Sequence, residues 1–291
     1  MTKIAFVGLG NMGWPMAANL VAAGHLVTGI DAERARAESW AQTHDSPSAP
    51  TSFATSIATV SADVDLIVTM LPTGVEVRDV LTTAADDPRD GLVAIDMSSA
   101  DPVGTRELHA DLAPGGIRLV DAPVSGGVPR ARDATLAIMI GGEADAIAVA
   151  RPVLAALGDR LFEVGGPGSG HAMKCLNNLV AGTTFAVASE AMTIGQAFGL
   201  DPTLMFDIMN VSTARSFSTE VVMRQHVVTG EFATGFALGL LAKDVGIADS
   251  LARAMAVDTP VADLVAARLA DARDALGFGA DHSRAHEHWS T

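Results

Sequence analysis

A chain of 291 residues with 49% hydrophobic and 18% charged residues has apolar material for more than one small domain and too little charge for disorder. Its net charge of −15 repels phosphate backbones, which argues against non-specific nucleic-acid binding, whereas a small anionic substrate needs only a local positive patch. One cysteine, Cys175, rules out an intrachain disulfide framework. The opening "MTKIAFVGLG" lacks the features of a signal peptide, and no run of about 18 apolar residues is long enough to span a membrane; a soluble cytoplasmic protein is expected.

The predicted elements alternate through the first half. "KIAFVGLG" reads as a strand ending in glycines, "MGWPMAANLVAAG" as a helix, "HLVTGID" as a strand and "AERARAESWAQT" as a helix. A loop is expected over 45–52, then the apolar strand "VDLIVTMLP". "GLVAIDMSS", "DPVGTRELHADLAPGG" and "IRLVDAPVSGG" give strand, helix, strand. "ATLAIMIGG" and "LFEVGG" give two more strands around the helix "EADAIAVARPVLAALG". This order implies a mainly parallel sheet covered on both faces.

After about residue 165 the texture changes. "GPGSG" punctuates the chain like a linker. From His171 to Phe198 runs a long helix pattern, apolar almost all round, which suggests burial between domains or subunits. Four more helical segments follow, with no strand pattern. The expected fold is an α/β Rossmann domain over 1–165 followed by an all-α domain over 166–291.

"GLGNMG" places Gly8, Gly10 and Gly13 between a strand and a helix, the context of a dinucleotide-binding loop. Gly8 permits the turn, Gly10 lets backbone approach a pyrophosphate, and Gly13 lets helix and strand pack. The alternative is a glycine turn in an ordinary α/β fold. Against it stands Asp31, an acid at the end of the second strand, placed to bond ribose hydroxyls and repel a 2′-phosphate; this favours NAD, with NADP as the alternative cofactor. Arg34 and Arg36 lie nearby, either as solvated helix charges or as a phosphate clamp. In "DAPVSGG", Ser125, Gly126 and Gly127 offer a hydroxyl and open amides that suit a carboxylate, although a plain turn explains the motif equally well. Asp121 at this strand end reads as structural more readily than catalytic.

"GSGHAMKCLNN" sets Lys174 in apolar surroundings, where lysine is costly without a partner or a task. Burial lowers a lysine pKa and suits it to acid–base work, and Asn178 lies one turn further on. Taken alone, a snorkelling lysine is the rival. Cys175 reads as a small core residue, the abundant methionines as packing, and the histidines at 282, 286 and 288 as a solvated tail rather than a metal site.

Together these motifs resemble the β-hydroxyacid dehydrogenases, and 3-hydroxyisobutyrate dehydrogenases most of all. The resemblance runs from "GLGNMGWPMAANLVAAGH" through "TMLP", "IDMSSADP", "DAPVSGG", "GSGHAMKCLNN" and "GFALGLLAKDVGIA" to "GADHSRAHEHW". It implies hydride transfer between NAD(P) and a small hydroxy acid, with Lys174 as the catalytic lysine and Asn178 as its companion. It implies substrate contacts at Ser125, Gly126 and Gly127. Cofactor contacts are implied at Gly8, Leu9, Gly10, Asn11, Met12 and Gly13, at Leu71 and Pro72, at Ser99 and at Lys243, and dimers or tetramers through the helical part. After "SGG" the chain departs from the family's usual pattern: "VPRARDATL" brings Arg130 and Arg132, and Ala134 stands in place of a glycine that the family often has before the next strand. "NVSTARSFSTE" lacks the tryptophan associated with 3-hydroxyisobutyrate enzymes. Semialdehyde reduction and imine reduction are alternatives on the same architecture, the second disfavoured by Lys174. A decarboxylating sugar-phosphate dehydrogenase normally has a larger helical domain than the roughly 125 residues left here. The non-enzyme alternative is an NAD-binding sensor or recruitment module.

Overall fold

The computed structural model describes residues 1–47, 49–60, 64–86 and 91–289. The chain divides into two compact units, Met1–Lys174 and Cys175–Thr291.

The first unit is built on nine strands: β1 (Lys3–Val7), β2 (Leu26–Ile30), β3 (Ser52–Ala54), β4 (Leu66–Thr69), β5 (Leu92–Asp96), β6 (Ile117–Asp121), β7 (Val124–Ser125), β8 (Ala137–Gly141) and β9 (Arg160–Gly165). Their order in the sheet is β3-β2-β1-β4-β5-β6-β8-β7, with β9 on β8. β1 to β6 run parallel to one another; β8 runs antiparallel to β6 and β7 and parallel to β9. The sheet is thus mainly parallel, as expected. The helices are α1 (Gly13–Ala22), α2 (Arg34–His44), α3 (Gly74–Ala85), α4 (Pro102–Leu112), α5 (Gly127–Arg132) and α6 (Ala144–Ala155).

Burial on both faces explains why "LIVT" and "LVAI" read as unbroken apolar runs. One core packs Ile4, Phe6, Val68 and Ile95 with Met16, Leu20 and Trp40 from α1 and α2. The other packs Ala5, Ile67, Ala94 and Leu119 with Val77, Leu81, Leu108 and Leu112 from α3 and α4. α3 starts on a capping box of Thr73 and Glu76, and Asp101 caps α4 ahead of Pro102. The loop expected over 45–52 ends one residue inside β3, and its Ser48 lies outside the described residues.

Register fixes one row across the sheet. Ile30 pairs with Val7, Val7 with Thr69, Thr69 with Asp96, Asp96 with Asp121 and Asp121 with Gly141. This row lies at the carboxyl ends of the parallel strands, where open α/β sheets bind their ligands.

The second unit continues α7 (Ser169–Phe198), a helix of 30 residues that crosses the division, and adds α8 (Pro202–Asn210), a π-helical segment (Ser218–Val227), α9 (Leu238–Ala254), α10 (Pro260–Leu276) and the short α11 (Ala285–Trp289). Phe185, Phe206, Leu238, Val245 and Leu269 form its core. One expectation is corrected here. His282 and His286 are buried, not solvated: the His282 ring stands edge-on to Phe185 and Phe236, with Nδ1 at 2.9 Å from Thr234 Oγ1. Helical spacing alone gave no sign that this end of the chain folds back onto the helical core.

Candidate active site

The glycine loop has the shape a pyrophosphate needs. Gly8 adopts φ +98°, and a Cβ there would overlap the Met70 carbonyl, so only glycine lets β1 end against the start of the loop after β4. A Cβ on Gly13 would overlap the Gly8 carbonyl, which is the close helix–strand approach inferred from sequence. Beside Gly10 a Cβ would meet nothing within 4 Å. No side chain caps the start of α1; Trp14 donates to the Gly10 carbonyl at 2.9 Å and Pro15 has no N–H, so the Gly13 amide is the donor that α1 offers to an anion. Asn11 and Met12 lie in this turn, and a cavity of about 750 Å³ lined by Leu9, Gly10, Asn11 and Arg36 adjoins it.

Asp31 is buried and ties the loop to the end of β2. Its Oδ2 accepts from the Leu9 amide at 3.0 Å and its Oδ1 from the Glu33 amide at 2.9 Å. Arg36 donates to both oxygens, at 3.1 and 3.2 Å, and also pairs with Glu33. Arg36 is therefore a partner of Asp31 rather than a free helix charge. Arg34 lies over the Phe53 ring at 5.6 Å. These residues fit a dinucleotide: open backbone at Gly10, the uncapped Gly13 amide at the start of α1, and a buried acid at the end of β2.

The polar part of the sheet row supports the next loop. Asp96 Oδ1 accepts from Thr69 Oγ1 at 2.8 Å and from the Ser98 amide at 3.0 Å, and Ser98 Oγ accepts from the Leu71 amide at 2.9 Å. The segments carrying Leu71–Pro72 and Ser99 are thus held side by side. Further along, Gly126 (φ +136°) and Gly127 (φ +65°) turn the chain out of β7, and the half-buried Ser125 hydroxyl carries no hydrogen bond to a described residue. Ala134 adopts the left-handed backbone at φ +54°, a conformation that costs an alanine about 1 kcal/mol.

α7 starts against the same edge. Asp121, fully buried, accepts from the Gly168 amide at 2.8 Å and from the His171 amide at 3.0 Å. A Cβ on Gly170 would sit 2.7 Å from the Asp121 carbonyl oxygen. "GSG" is therefore a clamp for the helix start more than a linker, and Asp121 is structural. Lys174 follows on the next turn of this unit, half-buried, and Cys175 is buried as expected.

In the second unit Asn178 is buried and donates from Nδ2 to Asp244 Oδ2 at 2.6 Å. Asn177 donates to Asn178 Oδ1 at 3.1 Å, and Lys243 Nζ lies 3.4 Å from Asp244 Oδ1. Asp244 and His171 went unremarked in the sequence. The signal for Asp244 was the one used for Lys174, a charged residue inside the apolar run "GLLAKDVGIA".

Residues 3–166 match the family model described as the NAD binding domain of 6-phosphogluconate dehydrogenase, and residues 168–289 match that described as NAD-binding of NADP-dependent 3-hydroxyisobutyrate dehydrogenase. A probable 3-hydroxyisobutyrate dehydrogenase of Mycobacterium tuberculosis is 37% identical over 96% of each chain. The chain belongs to the 3-hydroxyisobutyrate dehydrogenase family. An NAD-dependent L-serine dehydrogenase of Pseudomonas aeruginosa is 34% identical, covering 91% of this chain and 90% of its own. The solved structure of the Mycobacterium tuberculosis 3-hydroxyisobutyrate dehydrogenase with L-serine superposes with a TM-score of 0.90 at 34% identity, over 99% of both chains.

Membership in this family makes the chain an NAD-dependent oxidoreductase acting on the CH–OH group of hydroxy acids. The Rossmann unit and the helical segment that follows it are the family's architecture. Among the described residues no helix is long and apolar enough to cross a membrane, and no cluster of three or more metal-ligating side chains occurs.

Proposed function

We propose that the chain oxidises a small 3-hydroxy acid of the 3-hydroxyisobutyrate or serine type to its semialdehyde, reversibly, with Lys174 as general acid and base. The observation that carries this reading is the position of Lys174. It follows directly on the helix start that Asp121 clamps to the strand ends, in the same unit as the glycine loop and at the ligand-binding edge of the sheet. When bound, NAD supplies the hydride acceptor. The chain's own residues supply position and polarity. Residues 8–13, Asp31, Leu71, Pro72, Ser99 and Lys243 hold the cofactor. Ser125 and the amides of Gly126 and Gly127 take the substrate carboxylate. Lys174 removes the hydroxyl proton in oxidation and returns it in reduction, and Asn178 orients the reacting oxygen.

Three finer points complete the reading. Asp31 favours NAD over NADP, because a 2′-phosphate would face its carboxylate. Residues 1–165 serve as the cofactor domain and 166–291 as the substrate and oligomerisation domain. Val180, Val187, Ile194 and Phe198 recur along α7 as exposed apolar side chains, which favours a homodimer or homotetramer.

A panel of 3-hydroxyisobutyrate, L-serine and tartronate semialdehyde, followed by NADH absorbance, tests the substrate class; no turnover on any of them sinks it. Lys174→Ala should remove nearly all turnover while NAD still binds. Oxidation should speed up as pH rises, since a base accepts a proton only when neutral, and a flat profile counts against the lysine.

A further inference from the structure

His171 stands at the first turn of α7 with its side chain fully buried, three residues before Lys174. The backbone of that turn is already held by Asp121, so the helix start does not require an imidazole at this position. The ring nevertheless sits among polar groups. Nδ1 lies 2.8 Å from Thr105 Oγ1. The Thr105 hydroxyl donates to the Asp101 carbonyl at 2.9 Å, so its oxygen accepts the Nδ1 proton. Nε2 faces the Asp96 carboxylate, 3.6 Å from Oδ2, without a hydrogen bond, and Asp121 Oδ2 lies 4.0 Å from Nδ1.

Asp96 is the same carboxylate that holds Thr69 and the Ser98 amide, and Ser98 holds the Leu71 amide. A hydrogen-bonded path therefore runs from the Leu71 segment through Ser98 to Asp96, and the His171 ring lies beside its end without bonding to it. From there one helical turn leads to Lys174, on the same side of α7. Burying an imidazole beside two carboxylates is expensive, and an apolar side chain would fill the space at lower cost.

We propose that His171 is a positioning residue of the oxidoreduction. Through its hydrogen bond to Thr105 the ring fixes the rotation and axial position of the first turn of α7 against α4, and thereby aims Lys174 relative to the segment that carries Ser98 and Ser99. A misplacement of about 1 Å between reacting groups costs about 100-fold in rate, so even a small drift of this turn is expensive. The inference rests on the reading of Lys174 as acid and base.

Two conservative variants separate the edges of the ring. In His171→Asn the amide reaches the place of Nδ1, which keeps the hydrogen bond to Thr105. In His171→Gln the amide reaches the place of Nε2, which loses that bond and gains none that the imidazole made. The full chain is assayed with NAD and whichever of 3-hydroxyisobutyrate and L-serine turns over, with Lys174→Ala and His171→Leu alongside. His171→Leu should lower kcat by about 30-fold, with KM and the NAD dissociation constant within about threefold of wild type, and should raise the substrate deuterium isotope effect on kcat. His171→Asn should recover to within about fivefold of wild type, while His171→Gln stays near His171→Leu.

The proposal fails if a folded, NAD-binding His171→Leu keeps kcat within about threefold, or if Asn and Leu fall equally. If Leu does not fold, the Gln and Asn pair decides: equal kcat with a lowered melting temperature means a structural role only. An inactive Lys174→Ala beside a fully active His171→Leu overturns this proposal alone, whereas an active Lys174→Ala overturns the reading on which it rests.

Discussion

The Asn178 amide donates to the Asp244 carboxylate at 2.6 Å, and both side chains are buried. This bond fixes which way the amide points: Nδ2 to Asp244, Oδ1 to the side chain of Asn177. A charge-assisted bond of this kind contributes about 1.5–3 kcal/mol when its partners are removed from water. Asn178→Asp sets two carboxylates against each other and should lower both the melting temperature and kcat/KM, the latter by about 100-fold. Asp244→Ala should lower kcat/KM as well, because it leaves a buried amide donor without its acceptor. Steady-state kinetics beside thermal melts checks this; unchanged kinetics in both variants would remove Asn178 from the mechanism.

Asp31 carries a second prediction. Its carboxylate accepts the Leu9 and Glu33 amides and both contacts from Arg36, so it organises the glycine loop. Asp31→Ala should raise the NAD dissociation constant about tenfold, equivalent to about 1.4 kcal/mol, and lower the preference over NADP. Arg36→Ala frees the acid and should weaken NADP more than NAD. Isothermal titration with each cofactor reads both effects. A severalfold preference of the wild-type chain for NADP would reverse the argument.

Gly170 offers a test of the clamp at the start of α7. A Cβ there would overlap the Met139 carbonyl and lie 2.9 Å from Asp121 Oδ2, and backbone on both sides cannot give way cheaply. Gly170→Ala should therefore destabilise by about 2 kcal/mol or more and lower the melting temperature by several degrees. Gly166→Ala, where a Cβ meets nothing within 4 Å, is the matched control and should melt near wild type. Equal melting of the two variants would show that α7 does not rest on this contact.

How much of this was legible depended on range. The glycine loop could be read because its chemistry is local: a strand, three glycines and a helix within a dozen residues. Lys174 stood out because one charge in an apolar helix is a local anomaly. Asp121 read as structural, but its role as a helix clamp was hidden, as was the place of His171 between carboxylates, because each arises only when residues about 50 or more positions apart meet. The winding of Ser218–Val227 as a π-helix left no mark either, since its apolar spacing also suits an α-helix. β3, three residues long, pairs with β2 through long-range register alone.

The pH dependence of stability follows from His282. Burial in the helical unit pushes its pKa below the ordinary value near 6.5, against the opposing pull of Asp281, with His226 adding to the depression. His286 and His25 are lowered by burial as well. Above the unfolded value all three are neutral in both states and cost nothing. As pH falls through about 6.5, the unfolded chain takes up protons that the folded chain refuses, so stability drops until the folded values are reached. Asp281 acts in a lower window. Burial pushes its pKa up, but hydrogen bonds from Ser283, Thr234 and Gly235 outweigh that and lower it, so its contribution is present above the carboxylate range and is lost only as pH falls through its folded value. The melting temperature should therefore fall between about pH 7 and about pH 5, before carboxylates titrate. His282→Gln removes the most deeply buried of the three titrations, so its melting temperature should be lower than wild type at about pH 8 and decline less steeply toward about pH 5. Thermal melts of both chains across this range decide the matter, and parallel slopes would exclude His282 as the acid-sensitive group.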